Sequence, residues 1–182
     1  MSGSADTPSF DRFEVLFDAA AIQARVAELG RQISCDVGDA AEDLVIVGVL
    51  KGALVFMADL IRHLPPQATC DFLRLSSYEG MESSGSVRFD FDLTQPIKGK
   101  HVLIVEDIVD TGLTMSFLFK ALEVRAPRSL RLCTLLHKPA RTKAPVKLDY
   151  VGFTIPDRFV IGYGLDLEGR YRNLDHIRAL RK

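Results

Sequence analysis

Cysteine and tryptophan are scarce: the 182 residues include three cysteines and no tryptophan. Cys35, Cys70 and Cys133 are odd in number and widely spaced, which excludes a disulfide framework or a zinc motif and favours free thiols in a reducing compartment. No apolar run approaches the roughly 18 residues of a membrane span. No basic stretch followed by an apolar one opens the chain, so no secretory signal is expected. We therefore expect a cytoplasmic protein without a membrane partner.

An excess of charge of one sign is also missing, since 23 basic and 24 acidic residues leave a net charge of −1. Balanced charge gives no general attraction to nucleic acid, so we expect no nucleic-acid partner. The sequence further lacks a Gly-x-x-x-x-Gly-Lys-Ser/Thr loop and a Gly-x-Gly-x-x-Gly motif after a strand. These absences exclude the commonest nucleotide-binding modules.

The pattern of apolar residues predicts an α/β fold. Hydrophobic residues make up 47% of the chain, enough for an ordinary globular core. Apolar runs rich in β-branched residues alternate with stretches of helical periodicity, which indicates a largely parallel sheet flanked by helices. The predicted strands are 13–17, 44–50, 71–78, 87–92, 101–105, 130–136, 149–153 and 159–161. The predicted helices are one capped by Asp18 with an apolar stripe of Ile22, Val26, Leu29 and Ile33, and those at 53–64 and 114–124.

A phosphate-binding loop is predicted between the strand 101–105 and the following helix. Ligands bind at the carboxyl ends of parallel strands. A loop that enters a helix presents free N–H groups and the positive end of the helix dipole, both of which favour phosphate. Gly112 permits a positive φ and close approach of the backbone, and the hydroxyls of Thr111 and Thr114 add donors.

Two adjacent acids, Glu106 and Asp107, precede this loop at the end of the apolar strand. Desolvation and mutual repulsion are costly there, so the acids need a cation or hydroxyl donors. A sugar diol with Mg²⁺ supplies both. The strand end therefore predicts a site for a phosphorylated sugar.

Residues 105–114 (Val-Glu-Asp-Ile-Val-Asp-Thr-Gly-Leu-Thr) resemble the 5-phosphoribosyl-1-pyrophosphate (PRPP) signature of the type I phosphoribosyltransferases. The resemblance covers roughly residues 12–177 and is specific to the hypoxanthine-guanine branch of that family. It implies one domain over 1–182, with a core at about 37–165 and a small hood from the N-terminal segment and the C-terminal tail. The other segments that carry it are Leu50-Lys51-Gly52, Ser77-Tyr78, Lys138 and residues 155–166.

The resemblance implies roles for the residues of the signature. Asp110, Thr111, Gly112, Leu113 and Thr114 would bind the 5′-phosphate of PRPP. Asp110 would also face N7 of the purine as the catalytic general base. The two acids would bind the ribose hydroxyls, directly or through Mg²⁺.

The resemblance also implies a pyrophosphate site and a lid. Lys51-Gly52 would present backbone N–H groups to pyrophosphate, commonly through a non-proline cis peptide. Arg172 would bind pyrophosphate, with Arg170 as the alternative. Ser77 and Tyr78 would begin a lid that the polar loop 79–86 completes.

The purine site implied by the resemblance consists of residues late in the chain. Lys138 would donate to the 6-oxo group, which favours hypoxanthine and guanine over adenine. Phe159 would stack on the ring, and Val160 would contact the base edge through its backbone. Asp166 is placed with these residues and would hold a second Mg²⁺.

The expected reaction joins a 6-oxopurine to PRPP, giving IMP or GMP and pyrophosphate in purine salvage; homo-oligomers, dimers or tetramers, are usual in the family. Two alternatives stay open: a xanthine-preferring enzyme, and an RNA-binding regulator that keeps the fold and would use the basic run Arg125, Arg128 and Arg131. Each of these candidate residues also has a purely structural alternative. The structural alternatives are a helix cap for Asp110, a plain turn for Lys51-Gly52, a core position for Phe159, a solvated loop position for Lys138 and ordinary loop hydroxyls for Ser77 and Tyr78.

Overall fold

Six strands form a central sheet in the computed structural model, which describes residues 9–77 and 87–181. The strands are β2 (Leu44–Leu50), β3 (Thr69–Ser77), β4 (Val87–Phe91), β5 (His101–Val109), β6 (Ser129–His137) and β7 (Tyr150–Thr154). Their order in the sheet is β4-β3-β2-β5-β6-β7, and all neighbours are parallel except β3 and β4. The predicted α/β fold with a largely parallel sheet is thus confirmed.

Helices cover both faces of this sheet. The described residues contain three α-helices, α1 (Ala19–Val37), α2 (Leu54–Leu60) and α3 (Leu113–Glu123). The predicted cap is confirmed, because Asp18 accepts a hydrogen bond from Ala21 N at 2.8 Å. The predicted stripe is buried as well, in one apolar cluster with α2. Each fully buried aliphatic side chain of this kind stabilises the fold by about 1.5–3 kcal/mol. The apolar side of α3 packs into a second cluster with β2 and β5.

A second, antiparallel sheet of three strands joins the two ends of the described chain. Its order is β1-β9-β8, with β1 at Phe13–Phe17, β8 at Val160–Ile161 and β9 at Ile177–Leu180. Phe13 pairs with Leu180, and Val160 pairs with Ala179. The strand predicted at 159–161 therefore belongs to this sheet, and its partner β9 has no counterpart among the predicted strands.

The boundaries of two elements differ from the prediction. Strand β5 runs to Val109 instead of 105, because its pairing with β6 continues through Glu106 and Ile108. The helix predicted at 53–64 is α2 followed by a 3-10 turn, Ile61–His63. Leu64 is extended, as expected for a residue before proline. No helix within the described residues is long and apolar enough to span a membrane.

Candidate active site

Glu106 and Asp107 lie inside β5, near its carboxyl end. Glu106 lines a cavity beside the loop of residues 110–114, and Asp107 lines a larger cavity that shares Ile108 and Asp110 with the first. Asp107 Oδ1 accepts from Ile108 N at 2.8 Å, whereas Glu106 Oε2 is buried without a hydrogen-bond partner. Burial and the Asp107 carboxylate raise the pKa of Glu106 well above its ordinary value. An unpaired buried oxygen of this kind is costly, so the site is suited to receive hydroxyl donors or a cation.

The loop of residues 110–114 connects β5 to α3, as predicted, and encloses a cavity of about 100 Å³. Gly112 has φ +78°, and a Cβ at this position would lie 2.2 Å from Ala144 O. Only glycine fits both conditions. Thr111 Oγ1 accepts weakly from Leu113 N at 3.4 Å. The Leu113 side chain is exposed at the first position of α3, so its contribution to a bound phosphate is limited to the backbone N–H.

The turn after β2 reaches the acids from the neighbouring strand. A cis peptide bond occurs here between Leu50 and Lys51, one position before the Lys51-Gly52 bond for which it was expected. The Gly52 backbone lies against the Asp107 carboxylate, because a Cβ on Gly52 would be 1.6 Å from Asp107 Oδ2. Lys51-Gly52 thus forms a turn, and this turn lies directly beside Asp107.

Arg172 approaches the same group of residues from the segment after β8. Its Nη2 lies 2.6 Å from Asp166 Oδ1, and its Nη1 donates to Gly164 O. The positive charge of Arg172 opposes the effect of burial, which raises the pKa of Asp107. Arg170 is exposed, and its backbone pairs with Leu167. Of the two arginines, Arg172 is therefore the one beside the acids.

A cavity of about 410 Å³ lies between the carboxyl end of β5 and β8. Lys138 is 6% exposed, with its Nζ 3.8 Å from Asp157 Oδ1, so it is not a solvated loop lysine. Phe159 is 46% exposed and meets the Phe13 ring edge-on at 6.3 Å, so it is not a core residue. The lining residues are Asp107, Ile108, Asp110, Lys138, Arg141, Phe159, Val160, Leu165 and Asp166.

Asp110 lines both cavities and faces a residue that the sequence analysis missed. Arg141 Nε lies 3.0 Å from Asp110 Oδ1, and Arg141 Nη1 lies 3.6 Å from Asp157 Oδ1. The first contact is an ion pair without hydrogen-bond alignment, since Asp110 Oδ1 is buried with no hydrogen-bond partner. The only sequence signal for Arg141 is its position three residues after Lys138.

The predicted lid is placed only in part. Ser77 is the last residue of β3 and pairs with Val87 of β4. Tyr78 and the loop 79–86 lie outside the described residues. The lid roles of Ser77 and Tyr78 thus stay predictions.

A largely parallel sheet whose central strand carries two acids near its carboxyl end and leads through a glycine-containing loop into a helix, beside a small antiparallel sheet, defines the type I phosphoribosyltransferase fold. Residues 14–168 match the phosphoribosyl transferase domain family, and the chain belongs to this family.

Hypoxanthine and hypoxanthine-guanine phosphoribosyltransferases are similar to this chain over most of its length. A hypoxanthine-guanine phosphoribosyltransferase of Mycobacterium avium is 52% identical over 171 residues, covering 91% of this chain and 84% of that one. A hypoxanthine phosphoribosyltransferase of Escherichia coli K12 is 48% identical over 165 residues, covering 90% and 93%. The crystal structure of a hypoxanthine-guanine phosphoribosyltransferase from Bacillus anthracis superimposes with a TM-score of 0.86 at 43% identity, covering 91% and 97%.

Proposed function

We propose that this chain transfers the 5-phosphoribosyl group from PRPP to hypoxanthine or guanine, giving IMP or GMP and pyrophosphate in purine salvage. The observation that carries the proposal is the 410 Å³ cavity, because it joins Asp110, Lys138 and Phe159 to the phosphate loop. A carboxylate, a cation and an exposed ring are the groups needed to accept the proton at N7, donate to a 6-oxo group and stack on a purine. The relatives described above carry these activities in their names.

The sugar of PRPP binds along the carboxyl end of β5. The 5′-phosphate sits in the loop of residues 110–114, on N–H groups at the start of α3 and on the hydroxyls of Thr111 and Thr114. Glu106 and Asp107 hold the ribose hydroxyls. The same carboxylates stabilise the positive charge that develops on the sugar as the pyrophosphate leaves. The leaving pyrophosphate is bound by Arg172 and by the N–H groups of Lys51-Gly52.

Mg²⁺ fits the donors at this site. Mg²⁺ prefers oxygen ligands, and it is held by one or two carboxylates together with substrate phosphates and water. Glu106, with its unpaired Oε2, and Asp107 provide such carboxylates. No group of three or more metal-ligating side chains occurs in residues 9–77 and 87–181. When bound, Mg²⁺ would neutralise charge on the pyrophosphate; Asp166 is the candidate ligand for a second ion.

The purine is recognised by residues of the larger cavity. Lys138 donates to the 6-oxo group, whereas the 6-amino group of adenine is itself a donor and is rejected. Phe159 stacks on the ring, and Val160 offers its backbone to the base edge. Asp110 accepts the N7 proton as the new C–N bond forms.

The three-stranded sheet is proposed as the hood that covers the base, within a single domain that holds the sugar in its core. Phe159 directly precedes β8, and its edge-on contact with Phe13 of β1 connects this wall of the cavity to the sheet.

Cys35 and Cys70 are exposed free thiols, which supports the proposal that the enzyme acts in the reducing cytoplasm.

The alternative of an RNA-binding regulator is less well supported, because the basic run is already paired with acids. Arg125 forms two hydrogen bonds of 2.8 Å with Asp92. Arg128 and Arg131 lie within ion-pair distance of acids as well: Asp43 at 3.6 Å and Asp36 at 3.8 Å, respectively. The neighbouring acids offset the positive charge of the run, which reduces its attraction for a phosphate backbone.

The test is steady-state turnover of hypoxanthine, guanine, xanthine, adenine and uracil with PRPP and Mg²⁺, with EDTA as the control. Metal-dependent release of pyrophosphate with hypoxanthine or guanine is expected. Preferred turnover of xanthine would move the proposal to the xanthine enzyme. No turnover of any base by folded protein would overturn it, and salt-dependent RNA binding would be measured next.

A further inference from the structure

Arg141 lies at the centre of a chain of charges in the larger cavity. Its guanidinium is 3.0 Å from Asp110 and 3.6 Å from Asp157, and Asp157 is 3.8 Å from Lys138. The proposed base and the proposed 6-oxo donor are therefore connected through Arg141 and Asp157. The Arg141 side chain is 46% exposed and that of Asp110 32%. Solvent-exposed ion pairs contribute little to the free energy of unfolding. The contact between Arg141 and Asp110 therefore acts mainly on the orientation of the Asp110 carboxylate.

The backbone that carries Arg141 is fixed on both sides of Asp110. Before it, Lys138 N donates to Val109 O at 2.9 Å. After it, the N–H groups of Lys143 and Ala144 both donate to Thr111 O, at 2.9 and 3.0 Å. Val109 and Thr111 are the chain neighbours of Asp110, so the loop 138–144 is attached to the residues directly before and after the proposed base. Arg141 is held in place by this loop.

A general base must present a carboxylate oxygen within hydrogen-bond reach of the proton that it accepts. Asp110 Oδ1 is buried and has no hydrogen-bond partner, and Arg141 approaches that oxygen. An Asp side chain rotates about two bonds, and within residues 9–77 and 87–181 the Asp110 carboxylate lies within ion-pair distance of Arg141 alone. With Oδ1 facing Arg141, the other oxygen is left for the purine.

We propose that Arg141 is a positioning residue for purine transfer, which acts by holding the Asp110 carboxylate in the orientation that accepts the N7 proton. The proposal rests on the proposed function. The Arg141 side chain contacts Asp110 and Asp157, which are both carboxylates, so we expect its loss to alter the chemical step and to leave PRPP binding in place.

The test compares Arg141→Gln, which removes the charge, with Arg141→Lys, which keeps it, and with Lys143→Gln as a matched control. Lys143 is exposed on the same loop, and its contact with Thr111 is made by the backbone, which the substitution retains. Misplacement of a reacting group by about 1 Å costs on the order of 10²-fold in rate. We expect Arg141→Gln to lower kcat by roughly 10- to 100-fold with the KM for PRPP changed by less than about twofold. Arg141→Lys should recover part of the loss, and Lys143→Gln should match the wild type.

The same substitution in an Asp110→Asn background separates positioning from a structural role. Asp110→Asn alone should lower kcat by on the order of 10²–10⁴, as loss of a general base does. If Arg141 acts through Asp110, adding Arg141→Gln to Asp110→Asn changes kcat by less than about twofold. A general defect of folding would instead multiply the two losses and lower the melting temperature and PRPP affinity of Arg141→Gln.

Three results would overturn the inference. The first is an undiminished kcat for Arg141→Gln in an active wild type. The second is an equal loss in the Asp110→Asn background. The third is an equal loss for Lys143→Gln. A wild-type chain that turns over no purine would overturn the proposed function together with this inference, so the two failures are distinguishable.

Discussion

Asp166 and Arg172 form an ion pair, in which Arg172 Nη2 lies 2.6 Å from Asp166 Oδ1. Gly169 N donates to the other carboxylate oxygen, Asp166 Oδ2, at 2.7 Å. Both carboxylate oxygens are thus engaged. If Arg172 binds pyrophosphate and Asp166 binds a metal ion, as proposed, their ion pair must break so that each side chain can bind its ligand. Substrate binding and separation of this ion pair are then one event.

Arg172→Gln is expected to raise the KM for PRPP by roughly 10- to 100-fold, because a hydrogen bond to a charged group contributes about 1.5–3 kcal/mol. The control is Arg170→Gln, since Arg170 is exposed two residues away and should leave the KM within about twofold. Steady-state kinetics with varied PRPP measures both. Equal effects of the two substitutions would return Arg170 to the pyrophosphate role.

Lys138→Ala is expected to weaken the preference for 6-oxopurines. Lys138 is buried at the larger cavity, which is proposed to bind the purine, and loss of its donor should reduce the ratio of kcat/KM for hypoxanthine to that for adenine by at least about 10-fold. Lys143→Ala, which removes an exposed lysine of the same loop, should leave the ratio unchanged. Competition assays with both bases measure the ratio. A ratio that does not change would remove the proposed contact with the 6-oxo group.

Gly112→Ala is expected to destabilise the protein and to weaken PRPP binding. The residue has φ +78°, and the added Cβ would meet Ala144 O at 2.2 Å. Gly99→Ala isolates the backbone contribution, because Gly99 has φ +73° with no atom within 4 Å of the added Cβ. The left-handed conformation alone costs about 1–2 kcal/mol in the free energy of unfolding. Urea denaturation should show a larger loss for Gly112→Ala, and equal losses would mean that the contact with Ala144 is relieved without cost.

Two of the three thiols should react in the folded protein. Cys35 and Cys70 are exposed, whereas Cys133 is buried, and burial raises its thiol pKa. The thiolate is the reactive form, so a raised pKa slows alkylation at any given pH below it. Burial also raises the pKa of Cys70, and its labelling should therefore accelerate at a higher pH in the native than in the unfolded chain. Iodoacetamide labelling with mass spectrometry tests this; rapid native labelling of Cys133 would contradict it.

The features of the structure that depend on residues close together in the chain could be predicted from the sequence. Asp18 caps α1, and Gly112 takes a positive φ, because each depends on residues within one turn of the chain. The acids and the phosphate loop could be predicted together, because a buried strand, a polar turn and a helix follow one another directly. The position of Arg172 beside Asp107, in contrast, required the fold.

Features set by long-range pairing could not be predicted. The pairing of Phe13 with Leu180 joins strands at opposite ends of the described chain, and the sequence of β9, Ile-Arg-Ala-Leu, contains a single β-branched residue and so does not mark a strand by itself. The extension of β5 through Glu106 depends on Thr134 of β6, although the acids interrupt the apolar run. The contact of Arg141 with Asp110 depends on the same register between β5 and β6.

The pairing of β8 with β9 bears on the order of synthesis. The ribosome makes the loop of residues 110–114 and the central sheet before β9, yet Val160, which lines the larger cavity, pairs with Ala179 of that strand. The strands of the central sheet are therefore all synthesised before the wall of the larger cavity has its partner strand. That wall is complete only when residues 177–180 have paired with β1 and β8.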